Sequence, residues 1–253
     1  MAKITYPHLT APARIGNNVL KNHIIATAST AGYLQGPENY PPESVIQAYT
    51  HKAKTAAIVT VNGWGNTPVK SQHAMVWDWE HGGAQHHITR LTESVHFYGS
   101  LCETFLFPEW DDNYDVGEGI PKEEPYFQPG LPAFTKKHID EMIQRYADNA
   151  ARAQEMGFDG AYIHAAYRGL PIARFLSPLT NNRQDEYGGS VENRARFLIE
   201  ACDAIKKKCG KDFILEVSIS GEDHVEGGVT LQDTIEVIKL GEGHFDLVQP
   251  RSW

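Results

Sequence analysis

The sequence has few cysteines and none of the long apolar runs of a membrane protein. Its three cysteines, Cys102, Cys202 and Cys209, are an odd and widely separated set among 253 residues. Such a set is typical of reduced thiols in a cytoplasm and does not suggest a disulfide framework. No apolar stretch approaches the ~20 residues that span a bilayer, and Met1-Ala2-Lys3-Ile4 does not begin a secretory signal peptide. The sequence therefore predicts a cytoplasmic protein with no membrane partner.

Positive charge is also scarce. The chain has 23 Lys and Arg against 32 Asp and Glu, which gives a formal net charge of −9 at pH 7. This surplus disfavours binding to nucleic acid and to anionic membranes, because both repel a negative surface. With 41% hydrophobic and 22% charged residues, the composition is otherwise that of an ordinary globular protein with ample core.

No metal site is predicted, although two segments resemble one. Residues 111–117 read DDNYDVG, like a calcium loop, but the glycine falls one residue late and Lys122 replaces the bidentate glutamate. The other segment contains a group of histidines without the paired spacing of metal ligands, and they are better interpreted as solvated or helix-surface side chains. The members of this group are His73, His81, His86, His87 and His96.

Helical and strand-like patterns alternate along the chain. Apolar residues at helical spacing over 139–153 precede the short apolar run Gly160–His164, and a second helical pattern begins near Val191. Helix, strand, long loop, helix is one step of an α/β fold, in which the loop leaving the carboxyl end of a strand carries the chemistry. A helix is also predicted over 41–54, another over 85–98, and a third after a capping-box-like start at Thr230. The predicted strands are His23–Thr27, Ala57–Val61, Ser100–Leu106, Gly160–His164, Phe213–Ser218 and Phe245–Gln249.

The stretch from Gly157 to Phe197 carries a family resemblance. It reads GFDGAYIHAAYRGLPIARFLSPLTNNRQDEYGGSVENRARF. Its FLSP, DEYGGS and ENR runs, together with Asn181 and Arg183, resemble the signature of the old yellow enzyme class of NADH:flavin oxidoreductases, which includes 2,4-dienoyl-CoA reductases. The resemblance implies an α/β fold of the (β/α)8 TIM-barrel type, with about six of the eight strands present in a single incomplete domain over residues 1–253.

The resemblance also implies the chemistry. It implies FMN and NAD(P)H as cofactors, and reduction of the C=C bond of an α,β-unsaturated carbonyl compound. An iron–sulfur cluster is not expected, because the cysteines lack the family's cluster spacing. Residues 107–134, rich in proline and aromatic residues, are expected either to line a pocket for a flat, steroid- or bile-acid-like enone or to form an ordered surface excursion.

Cofactor contacts are implied on the first two strands. Thr27, Ala28, Ser29 and Thr30 end the first strand, where the family places residues against the flavin, and Thr30 matches the position that tunes the flavin's reactive edge. Ala57, on the second strand, is implied to let the isoalloxazine ring approach closely. From the residues alone, a buried first strand with a polar end is the simpler interpretation.

Catalytic roles are implied for His164 and Tyr167. They occupy the positions of the family's His/His or His/Asn pair, whose donors bind the carbonyl oxygen of an enone and polarise its double bond. A tyrosine hydroxyl can donate the same hydrogen bond or act as an acid. The family's proton-donating tyrosine is Gly169 here, and Tyr167 is expected to act mainly as the second donor to the carbonyl oxygen, so solvent or a group in 107–134 is expected to supply the proton. Without the resemblance, His164 is more simply a satisfied histidine at a strand end.

Three departures from the family pattern favour a second hypothesis. Phe105 replaces a glutamine that hydrogen-bonds the flavin pyrimidine, and Ser218 replaces an arginine at the flavin N1/O2 edge, whose charge a serine cannot supply. The loops of strands seven and eight, which hold the FMN phosphate in the family, are absent from a six-stranded chain. We therefore expect a fragment, a chain completed by another chain or within a homo-oligomer, or a degenerate member. The last of these would be a non-catalytic, flavin-free barrel that binds a ligand or a partner.

Overall fold

The computed structural model describes residues 6–28, 40–65, 77–78, 83–106, 135–166 and 171–252. The sequence predictions made for Ser29, Thr30, Tyr167 and Gly169, for His73 and His81, and for residues 107–134 lie outside these ranges. The chain divides into two compact units. The first comprises Met1–Phe107, Asn149–Tyr162 and Cys209–Ile214, and the second comprises Pro108–Asp148, Ile163–Lys208 and Leu215–Trp253.

Helices and strands alternate through most of the described chain. The helices are α1 (Pro7–Thr10), α2 (Glu43–Ala53), α3 (Ala84–His96), α4 (Lys136–Glu155), α5 (Pro171–Leu176), α6 (Val191–Cys209) and α7 (Leu231–Leu240). The strands are β1 (Ala13–Ile15), β2 (Asn18–Leu20), β3 (Ile25–Ala26), β4 (Ile58–Gly65), β5 (Trp77–Asp78), β6 (Leu101–Leu106), β7 (Gly160–Ala165), β8 (Ile214–Glu222) and β9 (Leu247–Ser252).

One sheet contains all six predicted strands. Their order is β3-β4-β6-β7-β8-β9, with β5 paired to β4, while β1 and β2 form a separate antiparallel hairpin. The pairs β3–β4, β4–β6 and β8–β9 are parallel. Neighbouring strands that follow chain order, with a helix between most of them, are typical of successive βα units of a (β/α)8 barrel. The predicted strands are confirmed, and β4, β8 and β9 extend three or four residues past their predicted ends.

In the first unit, two amphipathic helices cover the sheet. α2 contacts β4, α3 contacts β6, and the two helices contact each other. Their buried residues recur at helical spacing, because only one side of each helix meets the core. The ammonium group of Lys21 donates hydrogen bonds to the carbonyls of Ala53 and Tyr98 and to the hydroxyl of Ser100, which ties the chain before β3 to the ends of α2 and α3. The buried helix residues are Val45, Ile46, Tyr49, Ala53, Ala84, Ile88, Leu91, Thr92 and Val95.

In the second unit, α6 and α7 follow their sequence patterns. The predicted apolar side of α6, which includes Ala195, Leu198 and Cys202, is fully buried. α7 starts with the expected capping box: the Asp233 N–H donates to Thr230 Oγ1 (3.1 Å), and the Thr230 N–H donates to Asp233 Oδ2 (2.9 Å). These two bonds satisfy backbone donors that a helix start otherwise leaves without partners.

The structure adds one helix inside the segment predicted as a loop. α5 is only six residues long and starts with Pro171, a residue suited to the first turn. All six of its residues are buried, so tertiary packing rather than local propensity sets this helix.

The three cysteines of the chain are free thiols. Cys102 and Cys202 are free and fully buried, and burial raises the pKa of both thiols, which keeps them protonated.

Over the ranges that the model describes, no helix combines the length and the apolar character that crossing a membrane requires.

Candidate active site

His164 lies near the carboxyl end of β7, after a buried apolar run. Burial lowers the pKa of its imidazole to about 4, and the positive charge of Arg251 acts in the same direction. The ring is therefore neutral at pH 7. The backbone N–H of Ala166 donates to Nδ1 (3.3 Å), which assigns the proton of the neutral ring to Nε2. His164 thus offers an N–H donor at Nε2, which is the group that binding of a carbonyl oxygen requires.

Arg251 lies on β9, across from β8. Its Nε donates to Ser218 Oγ (2.8 Å), and its Nη2 donates to Gln249 Oε1 (2.8 Å). The strand register places Gln249 opposite Ser218 and Arg251 opposite Ser220, so one side chain on each strand holds the guanidinium. Ser218 is fully buried and half-buried Arg251 reaches it. The guanidinium of Arg251 is therefore held beside Ser218, the residue for which the family resemblance implies an arginine.

Phe105, in the first unit, packs against another aromatic ring. Its centroid lies 5.4 Å from that of Tyr162, with an interplanar angle of 32°. Tyr162 is fully buried on β7. An apolar ring contact therefore stands where the family pattern has a polar amide.

The predicted cofactor contacts of the first unit fall at two levels of the sheet. Thr27 and Ala28 directly follow β3 and are half-buried. Since Ala26 is opposite Val59, Thr27 is level with Thr60. Ala57 instead precedes β4 and donates its N–H to the carbonyl of Ile24 (2.7 Å). Three residues of strand separate these levels by about 10 Å, so the structure does not bring Ala57 beside Thr27 and Ala28.

Several residues of the family signature stabilise the loop between α5 and α6, in the second unit. Asn181 is buried, and its Nδ2 donates to the carbonyls of Phe175 and Tyr187, each at 2.7 Å. The guanidinium of Arg183 pairs with Asp185 and lies over the rings of Phe175 and Tyr187, 5.6 and 6.0 Å from their centroids. These side chains fix the path of the chain between α5 and α6.

Arg194 closes the same loop. Its Nε donates to the carbonyl of Leu176 (2.9 Å), its Nη1 to the carbonyl of Gly189 (2.6 Å), and its Nη2 to Asp233 (3.3 Å). Gly188 is needed here, because a Cβ at this position would lie 2.2 Å from the carbonyl oxygen of Arg183. The donors of Asn181, Arg183 and Arg194 that are described here thus serve backbone carbonyls, Asp185 and Asp233, which gives these signature residues a structural role.

The described histidines of the sequence's histidine group have other partners. His96 Nε2 lies 2.7 Å from Asp159 Oδ2, and the ring of His87 stacks on Tyr40 at 4.3 Å. Within the described ranges, no group of three or more His, Cys, Asp or Glu side chains could hold a metal ion.

Sequence reasoning missed Arg251. The sixth strand is predicted to end at Gln249, whereas β9 continues to Ser252 and includes Arg251. Its position two residues after an apolar run is the signal that could have identified Arg251, because the functional residues of such barrels lie at strand ends.

A family model places the chain among known proteins. The model of the NADH:flavin oxidoreductase / NADH oxidase family matches residues 8–248. The NADH oxidase of Thermoanaerobacter brockii is 29% identical over 246 residues, covering 94% of this chain and 38% of that protein. The NADPH dehydrogenase of Geobacillus sp. (strain WCH70) is 46% identical over 190 residues, covering 73% of this chain and 54% of that protein. The chain thus spans about half the length, or less, of these curated relatives.

Solved structures match the fold over nearly the whole chain. A 2-naphthoyl-CoA reductase in complex with 2-naphthoyl-CoA matches with a TM-score of 0.80 and 26% identity, covering 98% of this chain and 41% of that chain. The old yellow enzyme homologue from Zymomonas mobilis matches with a TM-score of 0.75 and 23% identity, covering 97% of this chain and 74% of that chain. These matches confirm the predicted fold class, a TIM-barrel type with six of the eight strands in this chain.

Proposed function

This chain belongs to the NADH:flavin oxidoreductase / NADH oxidase family, and we propose that it carries the carbonyl-binding site of a flavin-dependent ene-reductase. The reaction is reduction of the C=C bond of an α,β-unsaturated carbonyl compound with NAD(P)H. Family membership indicates FMN and NAD(P)H as the cofactors. Because the chain spans only part of its relatives, the proposal concerns the protein expressed from its complete reading frame.

The neutral His164 ring is the observation that supports this proposal most. A carbonyl oxygen accepts hydrogen bonds, and His164 has its donor on Nε2. As electrons move toward the oxygen during reduction of the double bond, a hydrogen bond to that oxygen becomes stronger. A donor that is neutral at pH 7 can do this without giving up its proton. His164 therefore orients the enone and polarises it.

The chemistry of the donor groups fits a flavin. The flavin ring has acceptors along its pyrimidine edge, and Arg251 is a donor of matching chemistry fixed at Ser218. Thr27, Ala28 and Ala57 are proposed cofactor contacts on the family resemblance, with Ala57 at the amino end of β4. When bound, the flavin supplies the reducing equivalents.

Two finer assignments extend the proposal. Tyr167 is proposed, from the sequence, as the second donor to the carbonyl oxygen. A steroid- or bile-acid-like enone is the proposed substrate class, because residues 107–134 are rich in aromatic and proline residues. A panel that compares a steroid enone with 2-cyclohexenone tests this class: a preference for the small ring would contradict it.

The visible spectrum of the purified protein tests the function. We expect a yellow protein with flavin absorbance, and anaerobic NAD(P)H oxidation that depends on an added enone. A colourless protein that binds no added FMN, or a flavoprotein that no enone reoxidises, would contradict the proposal.

One observation favours a second candidate, a flavin-free ligand-binding barrel. Phe105 packs on Tyr162 where the family pattern has a polar flavin partner, so one hydrogen bond to the ring is missing. The same spectrum separates the two candidates, because only the ene-reductase contains flavin.

A further inference from the structure

Ser177, in the FLSP run of the family signature, is buried with a hydroxyl that has no hydrogen-bond partner among the residues that the structure describes. Its backbone groups are satisfied: the N–H donates to the carbonyl of Ala173 (3.2 Å), and the carbonyl accepts from the N–H of Asn181 (2.9 Å). Buried polar groups are nearly always hydrogen-bonded, to protein or to ordered water. We propose that Ser177 binds a buried water molecule that links α5, α6 and α7. The inference is independent of the flavin and of the proposed function.

Ser177 lines a cavity of the second unit. The cavity lies between α5, α6, α7 and the carboxyl ends of β7 and β8. The centre of a water-sized sphere can occupy about 20 Å³ of it. A single water needs roughly 10–15 Å³ on this measure, so the volume limits the ligand to a species of about that size. The polar residues that line the cavity are Ser177, Arg194, Ser220, Asp233 and Thr234, and the other lining residues are apolar.

The lining residues can supply the hydrogen bonds that a buried water needs. Such a water typically makes about three, within a range of roughly two to four. The Ser177 hydroxyl can both donate and accept, and three of the five N–H groups of Arg194 are used by protein acceptors. Thr234 Oγ1 lies 2.8 Å from the carbonyls of Ser220 and Gly221, so its proton is directed there and its oxygen can still accept. Donors and acceptors for a water are therefore present on all three helical segments.

The charges that line the cavity favour a neutral ligand. Nη2 of Arg194 lies 3.3 Å from Oδ1 of Asp233, so the one positive and the one negative lining charge offset each other. A monovalent cation or an anion of similar size to water would lose its hydration here, and each would lie near a like charge. A water molecule carries neither cost. The ligand of matching size and charge is therefore water.

A high-resolution crystal structure and water magnetic relaxation dispersion test the proposal, on the protein expressed from its complete reading frame. The crystal structure of the wild type should show a water oxygen within hydrogen-bond distance of Ser177 Oγ. The dispersion measurement counts long-lived buried waters and gives their residence times. It is applied to the wild type, to S177A, which removes the hydroxyl, and to S177V, which also fills the space with methyl groups. Circular dichroism verifies the folding of each variant.

T180V is the matched control. Thr180 is buried in the same loop, but its hydroxyl donates to the carbonyl of Arg174 (2.6 Å) and does not line the cavity. We expect one long-lived water fewer in S177V than in the wild type, and an unchanged number in T180V. In S177A the residence time of this water should fall about 3–10-fold, since one hydrogen bond has that effect.

Four results would overturn the proposal. A wild-type cavity without electron density would be dry, and density with the anomalous signal of an ion would identify a different ligand. An unchanged water count in S177V together with an unchanged residence time in S177A would show that the hydroxyl does not hold the water. An equal loss of a water in T180V would assign that water to the loop as a whole and not to Ser177. The crystal structure of the wild type decides the first two results without any variant.

Discussion

Nε of Arg251 donates a 2.8 Å hydrogen bond to Oγ of Ser218, across the parallel strands β8 and β9. From the sequence, Ser218 is only a serine at a position where the family resemblance implies an arginine. The fold shows that the serine is the acceptor for an arginine on the next strand. Ser218 and Arg251 therefore form one hydrogen-bonded pair, which only the register of β8 and β9 reveals.

The pH dependence of stability should reveal that His164 is buried as a neutral ring. Its pKa is about 4 in the folded chain, against about 6.5 in an unfolded chain. The unfolded chain therefore takes up the proton first as the pH falls. The stabilisation is fully present above pH 6.5 and is lost progressively between about pH 6.5 and 4, by at most roughly 3 kcal/mol.

Urea unfolding at pH 7.0, 5.5 and 4.5 measures this loss. We expect H164N to lose about 1–3 kcal/mol less stability over this interval than the wild type. R251Q should raise the pKa of His164 and give an intermediate loss. Parallel curves for the wild type and H164N would show that His164 is not buried as a neutral ring.

Asn181 should contribute strongly to stability although it lies in a loop. N181A leaves the carbonyls of Phe175 and Tyr187 without their side-chain donor in a buried environment. We expect a loss of about 2–4 kcal/mol in the free energy of unfolding, measured in urea, since each buried hydrogen bond contributes about 1–2 kcal/mol. N182A is the matched control, because Asn182 is exposed, and its effect should stay within about 0.5 kcal/mol. Equal losses of stability in N181A and N182A would contradict the stabilising role of Asn181 in this loop.

Two adjacent glycines of the signature should respond differently to alanine. A Cβ at Gly188 would lie 2.2 Å from the carbonyl oxygen of Arg183, whereas Gly189 has open space and a φ of +84°. G189A should therefore cost about 1–2 kcal/mol for its left-handed backbone, and G188A about 3 kcal/mol or more, because the backbone must also move. Thermal unfolding of both variants measures the order. A less stable G189A would contradict it.

Much of the fold could be predicted from the sequence because its signals are local. The six strands were short apolar runs between helical patterns, and the capping box at Thr230 was visible in four residues. α5 was missed because a six-residue helix has no detectable period, and its burial comes from partners distant in sequence. The ends of β8 and β9 were missed because polar residues that pair across strands do not resemble a strand pattern.

A site residue could be predicted only where a local sequence motif marks it. His164 was identified because it ends an apolar run in a recognisable motif. The cofactor contact of Ala57 stays a prediction from the resemblance, and the structure adds that this residue is level with Ile24. Arg251 was missed because its role depends on Ser218, a contact that sequence order does not reveal.

Tyr167 lies outside the described residues, and its role stays a prediction from the sequence. We expect Y167F to weaken enone binding and the reduction of the double bond together, because a donor to the carbonyl oxygen acts in both the ground state and the transition state. Single-turnover kinetics separate the two effects. Loss of proton incorporation alone, with unchanged enone reduction, would identify Tyr167 as the acid instead.

The central claim, that His164 Nε2 binds the carbonyl oxygen of an enone, is tested most directly by anaerobic stopped-flow kinetics. Protein with its FMN chemically reduced is mixed with increasing 2-cyclohexenone, and reoxidation of the flavin is followed by absorbance. For H164A we predict a limiting rate about 100-fold below wild type and a Kd for the enone raised about 10-fold, since one donor to a developing oxyanion has that magnitude. Reoxidation of H164A at the wild-type rate and affinity would contradict the claim.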